Sequence, residues 1–150
     1  MSERKRLLAV ASGGGHWEQM QLIRGSFADY DVVYASTIPE IGKATGVTNI
    51  VLPDFNRNDP LKVVTAFWHA IGLIRRLKPS VIFSTGAAPG VVVLLAGRLL
   101  GVRTVWLDSV ANAEKLSMSG AIARHFVDLH CVQWEHLADG KRTLFFGRVL

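Results

Sequence analysis

Six short apolar runs constrain this chain more than any other feature: "RLLAVAS" (Arg6–Ser12), "DVVYAS" (Asp31–Ser36), "TNIVLP" (Thr48–Pro53), "SVIFST" (Ser80–Thr85), "RTVWLD" (Arg103–Asp108) and "LHCVQW" (Leu129–Trp134). Their apolar residues fall on consecutive positions, not on every second one. A strand with one wet face alternates. A strand that is apolar throughout is covered on both faces, which is the condition of a parallel sheet. Helical patterns separate the runs. Trp17–Ile23 is closed by Gly25, and Leu61–Leu77 is entered through Asp59-Pro60 and left before Pro79. Pro89–Leu100 ends at Gly101, and Gly120–Val127 is a fourth helix. This order predicts an α/β fold, a Rossmann-like doubly wound parallel sheet, with Leu129–Trp134 as its final strand. The 150 residues suit a single domain, 1–150, with no linker.

Hydrophobic residues make up 49% of the chain and charged residues 19%, a globular balance. Lys and Arg exceed Asp and Glu by 17 to 12, which favours an anionic partner without choosing one. The basic residues are scattered and not interleaved with aromatics, so nucleic acid is not expected. Cys131 is the one cysteine, which excludes an internal disulfide and reads as a buried thiol. The longest apolar stretch, Ala87–Gly97, is well short of the ~20 residues that cross a bilayer. The N-terminus has no long apolar region of the signal-peptide kind.

A doubly wound sheet binds ligands at the carboxyl ends of its strands. Four polar or glycine-rich stretches fall there: Ser12–His16, Ser84–Gly90, Asp108-Ser109 and Gln133–Glu135. The first reads "SGGGH". Its glycines allow close backbone approach, and the helix start at His16 offers free N–H groups to an anion or a sugar. The dinucleotide fingerprint and the Walker loop both fail, because no further glycine comes before Gly25 and no Gly-Lys-Ser/Thr follows. A plain tight turn is the other reading of the triplet. His16 can exchange a proton near neutral pH. Asp108 can act as a base toward a hydroxyl or cap the next segment. The remaining histidines show no metal-ligand spacing, so no metal site is expected.

The helix Leu61–Leu77 is apolar nearly all round. Val64, Phe67, Trp68, Ile71 and Ile74 form one stripe; Val63, Ala66, Ala70, Leu73 and Leu77 form another. A deeply buried helix would look this way. So would one that sets Val64, Phe67, Trp68 and Ile71 against a membrane, with Arg75, Arg76 and Lys78 near anionic head groups.

The stretches "SGGGHWEQMQLI" and "FSTGAAPGVVVLLAGRLLGVRTVWLDSVANAEKLSMSGAIARHFVDLHCVQW" resemble a glycosyltransferase subunit family. Its members are the membrane-recruiting, acceptor-side subunits of the split N-acetylglucosaminyltransferase of asparagine-linked glycosylation. The final "LFFGRVL" resembles the end of members that serve capsular and exopolysaccharide synthesis. The architecture is also similar to the N-terminal domain of the peptidoglycan lipid II glycosyltransferase.

The resemblance implies the N-terminal half of a GT-B glycosyltransferase, with a separate donor-binding subunit as partner and no activity alone. That partner would hold most of a nucleotide-sugar such as a UDP-sugar, which is a substrate; no cofactor is implied. The acceptor would be a sugar on a polyprenyl diphosphate, the reaction inverting, and the location peripheral, on the cytoplasmic face of the inner or plasma membrane. His16 or Asp108 would be the base. Gly14 and Gly15 would face the acceptor, Gly86 and Gly90 would shape the floor, and Ser109 would orient the acceptor. Family members commonly carry Glu-Ser where this chain has Asp108-Ser109. The alternative is a non-catalytic scaffold that only recruits the donor-binding subunit to the membrane.

Overall fold

A computed structural model describes residues 2–56 and 58–149; Met1, Arg57 and Leu150 lie outside the described residues. Seven strands form one sheet: β1 (Arg6–Val10), β2 (Asp31–Ser36), β3 (Asn49–Val51), β4 (Val81–Ser84), β5 (Arg103–Leu107), β6 (Leu129–Val132) and β7 (Thr143–Phe145). Their order is β3-β2-β1-β4-β5-β6-β7, and every pairing is parallel. The six apolar runs all become strands. The sheet does not end at β6, however. Thr143–Phe145 adds an edge strand too short to stand out by pattern.

Four α-helices connect the strands: α1 (Gly15–Leu22), α2 (Pro60–Leu77), α3 (Ala87–Leu99) and α4 (Met118–Ala123). The start of α2 follows from its sequence. Pro60 occupies the first turn, where its missing N–H costs nothing, and the Asp59 side chain accepts from the Lys62 N–H at 3.3 Å. The helix stops at Lys78, which is left-handed at φ 49°, ahead of Pro79. The fourth helix lies at 118–123, not 120–127, because the Ser117 hydroxyl caps it by accepting from the Gly120 N–H at 2.8 Å.

The sheet separates two cores. On one face Leu8, Val10, Ile82, Trp106 and Val132 pack under α2, α3 and α4. On the other, Leu7, Ala9 and Ala11 pack with Trp17 and Met20 of α1 and with Phe27. The strand residues take these sides alternately, as the pleat requires.

The apolar helix α2 resolves into an inner and an outer side. Ile71 is 8% exposed and belongs to the core, and Phe67 is half-buried against it, so neither faces outward as expected. Leu61, Val64 and Trp68 do, at 79%, 53% and 65% exposure. The helical repeat explains the split. Positions 61, 64 and 68 lie on one line of the helix, and the line through 67, 71 and 74 is rotated toward the sheet.

Leu8 sits fully buried at the centre of β1. Leu8→Ala is expected to lower unfolding stability by about 2–5 kcal/mol in urea titration. Leu99→Ala, on the exposed side of α3, should change it by less than about 0.5 kcal/mol.

Candidate functional site

β1 pairs with β2 on one side and β4 on the other, and the chain leaves β1 toward β2 but leaves β4 toward β5, in opposite directions. The loops after β1 and β4 diverge there and leave a crevice at the carboxyl ends of the strands, where doubly wound sheets take their ligands. The glycine triplet and Thr85-Gly86, ahead of α3, are those two loops.

They are latched by a reciprocal pair of hydrogen bonds. The Thr85 hydroxyl donates to the His16 carbonyl at 2.6 Å, and His16 Nδ1 lies 3.1 Å from the Thr85 carbonyl. A carbonyl only accepts, so Nδ1 carries the proton. In the neutral ring Nε2 is then the lone-pair nitrogen. Nε2 has no partner among the described residues.

Gly86 makes the latch possible. Its φ of 146° suits glycine, and a methyl group there would lie 2.3 Å from His16 Nδ1. Gly90 brings α3 against the end of β4, where a side chain would meet Ser84 Oγ at 2.1 Å. Ser84 Oγ in turn accepts from the Gly86 N–H at 3.2 Å.

Both helices that begin at the crevice lack side-chain caps. α1 starts behind Gly14, held at φ 64°, and α3 behind Gly86. Nothing lies within 4 Å of where a side chain would sit on Gly14 or Gly15, so this backbone borders open space. Ala87, the first residue of α3, is left-handed at φ 69°, a strained conformation for a residue with a Cβ. First-turn N–H groups from two helices thus flank the His16 ring, with the partial positive charge of both dipoles.

Asp108 stands elsewhere. It is 2% exposed, and its carboxylate accepts from Trp106 Nε1 at 3.2 Å, the Ser117 hydroxyl at 2.5 Å and the Ser117 N–H at 2.9 Å. Both oxygens are engaged with the protein interior. Asp108 ties the loop after β5 to the start of α4, so the expectation that it faces the crevice as a base is corrected. His16 and Asp108 share no hydrogen bond.

Ser109 is also buried, and its oxygen accepts from Gln19 Nε2 at 3.0 Å and from the Ala111 N–H at 3.2 Å. It therefore positions a loop and does not present its hydroxyl to a ligand. Gln19 and Gln133 are the polar residues that sequence reasoning missed as a pair. Gln19 Oε1 accepts from the Val110 N–H at 3.2 Å and from Gln133 Nε2, which also donates to the Asp108 carbonyl at 3.0 Å. Gln133 Oε1 accepts from the Val149 N–H at 3.0 Å. This buried network fastens α1, the loop after β5 and the C-terminal tail to one another. A glutamine on the inner side of α1, between Trp17 and Met20, was the only signal of it.

A hollow of about 570 Å³ beside the crevice is lined by Asp54, Phe55, Asn56, Lys62, Ala88 and Ser119. It joins the start of α3 to the foot of α2, where the outward stripe begins at Leu61. A second hollow, about 900 Å³, lies at the opposite end of the sheet and includes Arg4, Lys5, Arg6, Arg76 and Lys78.

The fold has counterparts among known proteins. The fold superposes on Acinetobacter baumannii MurG with a TM-score of 0.80 at 15% identity, covering 94% of this chain and 45% of MurG. It superposes on the UDP-N-acetylglucosamine 2-epimerase of Rickettsia bellii with a TM-score of 0.75 at 10% identity, covering 98% and 46%. The chain thus spans less than half of either, and its fold is that of an N-terminal GT-B domain. In sequence it is 27% identical over 183 aligned positions to the UDP-N-acetylglucosamine transferase subunit ALG14 of Mus musculus, covering 99% of this chain and 84% of that one. It is 27% identical to the subunit of the same name from Yarrowia lipolytica, covering 92% and 77%. The profile of the family described as "Oligosaccharide biosynthesis protein Alg14 like" matches residues 57–149. The chain belongs to this Alg14-like family.

Proposed function

We propose that this chain is the acceptor-side subunit of a two-chain inverting glycosyltransferase. It presents a polyprenyl-diphosphate-linked sugar to a nucleotide-sugar, such as a UDP-sugar, held mainly by a donor-binding subunit. The observation that carries the reading is the His16–Thr85 latch, which leaves Nε2 unpartnered between two uncapped helix starts. In the reaction the acceptor hydroxyl attacks the anomeric carbon from the face opposite the nucleoside diphosphate. The new C–O bond forms as the bond to the diphosphate breaks, and the hydroxyl proton passes to His16 Nε2. The Thr85 carbonyl holds the ring through Nδ1 while Nε2 takes the proton. The diphosphate of the acceptor fits the hollow between Lys62 and the start of α3.

The same reading places the chain peripherally on the cytoplasmic face of the membrane. The outward stripe of α2 supports it: Leu61, Val64 and Trp68 are exposed, and Arg75 continues the same side of the helix. No helix of the described residues is long and apolar enough to cross a membrane. The ending "LFFGRVL" supports a capsular or exopolysaccharide product.

His16→Ala in the reconstituted pair is expected to slow sugar transfer by about 10²–10⁴-fold, with assembly of the two chains unchanged. Gly86→Ala, which drives a methyl group into the imidazole, should reproduce much of that loss. Transfer at the wild-type rate by His16→Ala would leave this chain only the task of recruiting its partner. On the membrane side, Val64→Asp with Trp68→Asp should abolish flotation with anionic liposomes and leave the circular dichroism spectrum unchanged. Undiminished flotation would remove α2 from the contact.

A further inference from the structure

A closed apolar slot adjoins the hollow that holds Asp54 and Lys62. The two share Phe55, and Ala88 of the hollow is followed in the chain by Pro89 of the slot. The slot lies between α2, which gives Ala66 and Ala70, and α3, which gives Val92 and Val93. Leu52 and Phe55, from the segment between β3 and α2, complete it. Every side chain that lines it is apolar. Two alanines on α2, where larger residues would fill the gap, leave the space open. Leu52, Ala66, Ala70 and Val93 are buried, whereas Phe55 is only half-buried. Packing alone holds Phe55. Among the described residues, neither Asp54 nor Phe55 makes a hydrogen bond. The segment is tied at its ends instead, by the Leu52 N–H to the Ser36 carbonyl at 2.7 Å and the Asp59 N–H to the Asn56 carbonyl at 2.9 Å. A side chain held in this way can leave its place without breaking the fold.

We propose that this slot takes the first isoprene unit of the acceptor lipid, and that Phe55 is the plug it displaces; the inference rests on the acceptor-side reading above. Covalent continuity selects the occupant. The first isoprene is bonded directly to the diphosphate. With the diphosphate beside Lys62 and the start of α3, that unit must lie against Phe55, the residue common to both spaces. An apolar unit there has a choice between water and an apolar slot, and the slot is favoured. Volume shows that the plug has to move. The open space is about 10 Å³, enough for a single water-sized group and too small for an isoprene unit. The benzyl group of Phe55 is larger than an isoprene unit, so its departure makes the room. The remaining chain then runs out past Leu61, exposed in the first turn of α2, to the outer line of that helix. The slot thus reads the methyl branch nearest the diphosphate and separates isoprenoid from straight-chain lipids.

The test uses the two-chain transferase, purified from producing cells through a tag on this chain. Two acceptors of equal main-chain length are compared, a farnesyl diphosphate sugar and an n-dodecyl diphosphate sugar. The farnesyl acceptor should show a KM lower by about fourfold or more, the worth of burying one methyl group, with kcat alike for the two. Ala66→Leu, which fills the slot from α2, should raise the farnesyl KM to the dodecyl value and leave the dodecyl KM unchanged. Phe55→Ala, which removes the plug, should lower the farnesyl KM and widen the gap. Equal KM values in the unaltered enzyme, or a rise for both acceptors in Ala66→Leu, overturn the inference and leave the glycosyltransferase reading standing. Absence of transfer to any polyprenyl diphosphate sugar by the assembled pair overturns both. Should Ala66→Leu fail to fold, Phe55→Ala decides, and a gap that it leaves unchanged overturns the slot.

Discussion

The placement of β1 between β2 and β4 governs the rest of the molecule. It reverses the winding of the chain and opens a crevice at one point of the sheet. Two loops that end different strands, 69 residues apart, meet across that point through His16 and Thr85. The pairing does chemical work beyond joining them. It selects the imidazole tautomer and brings two helix starts together. Gly86 is the steric condition, since only a residue without a Cβ lets the ring sit against the second loop.

The strands were legible because a parallel sheet writes itself as consecutive apolar residues, and all six such runs pair as expected. Thr143–Phe145 escaped because three residues at an edge carry too little pattern. For α2 the ends were legible and the outward line was not. Ile71 and Trp68 are both apolar, and only the angle at which the helix meets the sheet separates core from surface. The crevice was legible from glycines and one histidine at strand ends. The fate of Asp108 was not, because a carboxylate there can turn outward or inward. Ser117, nine residues on, decides it by donating twice to that carboxylate. Gln19 and Gln133 are separated by 114 positions, a distance over which sequence carries no sign of a shared hydrogen bond.

The surfaces of the chain divide its proposed work. On that proposal the crevice takes the acceptor and the outer line of α2 meets a lipid surface. The buried glutamines brace the first of these. Gln133 sits just past the end of β6 and reaches both the carboxyl-terminal tail and the helix that carries His16. Their amide groups are hydrogen-bonded inside the protein, which gives the loops around the crevice a defined position.

The central claim is that His16 Nε2 meets the acceptor. Histidine side-chain nitrogen NMR on the isolated chain tests it most directly, with a short-chain polyprenyl diphosphate sugar as the added ligand. The account predicts a ring in the Nδ1–H tautomer before addition, and a saturable shift of Nε2 on addition that Gly86→Ala removes. An Nε2 signal unmoved by an acceptor that the complete two-chain enzyme glycosylates would contradict it.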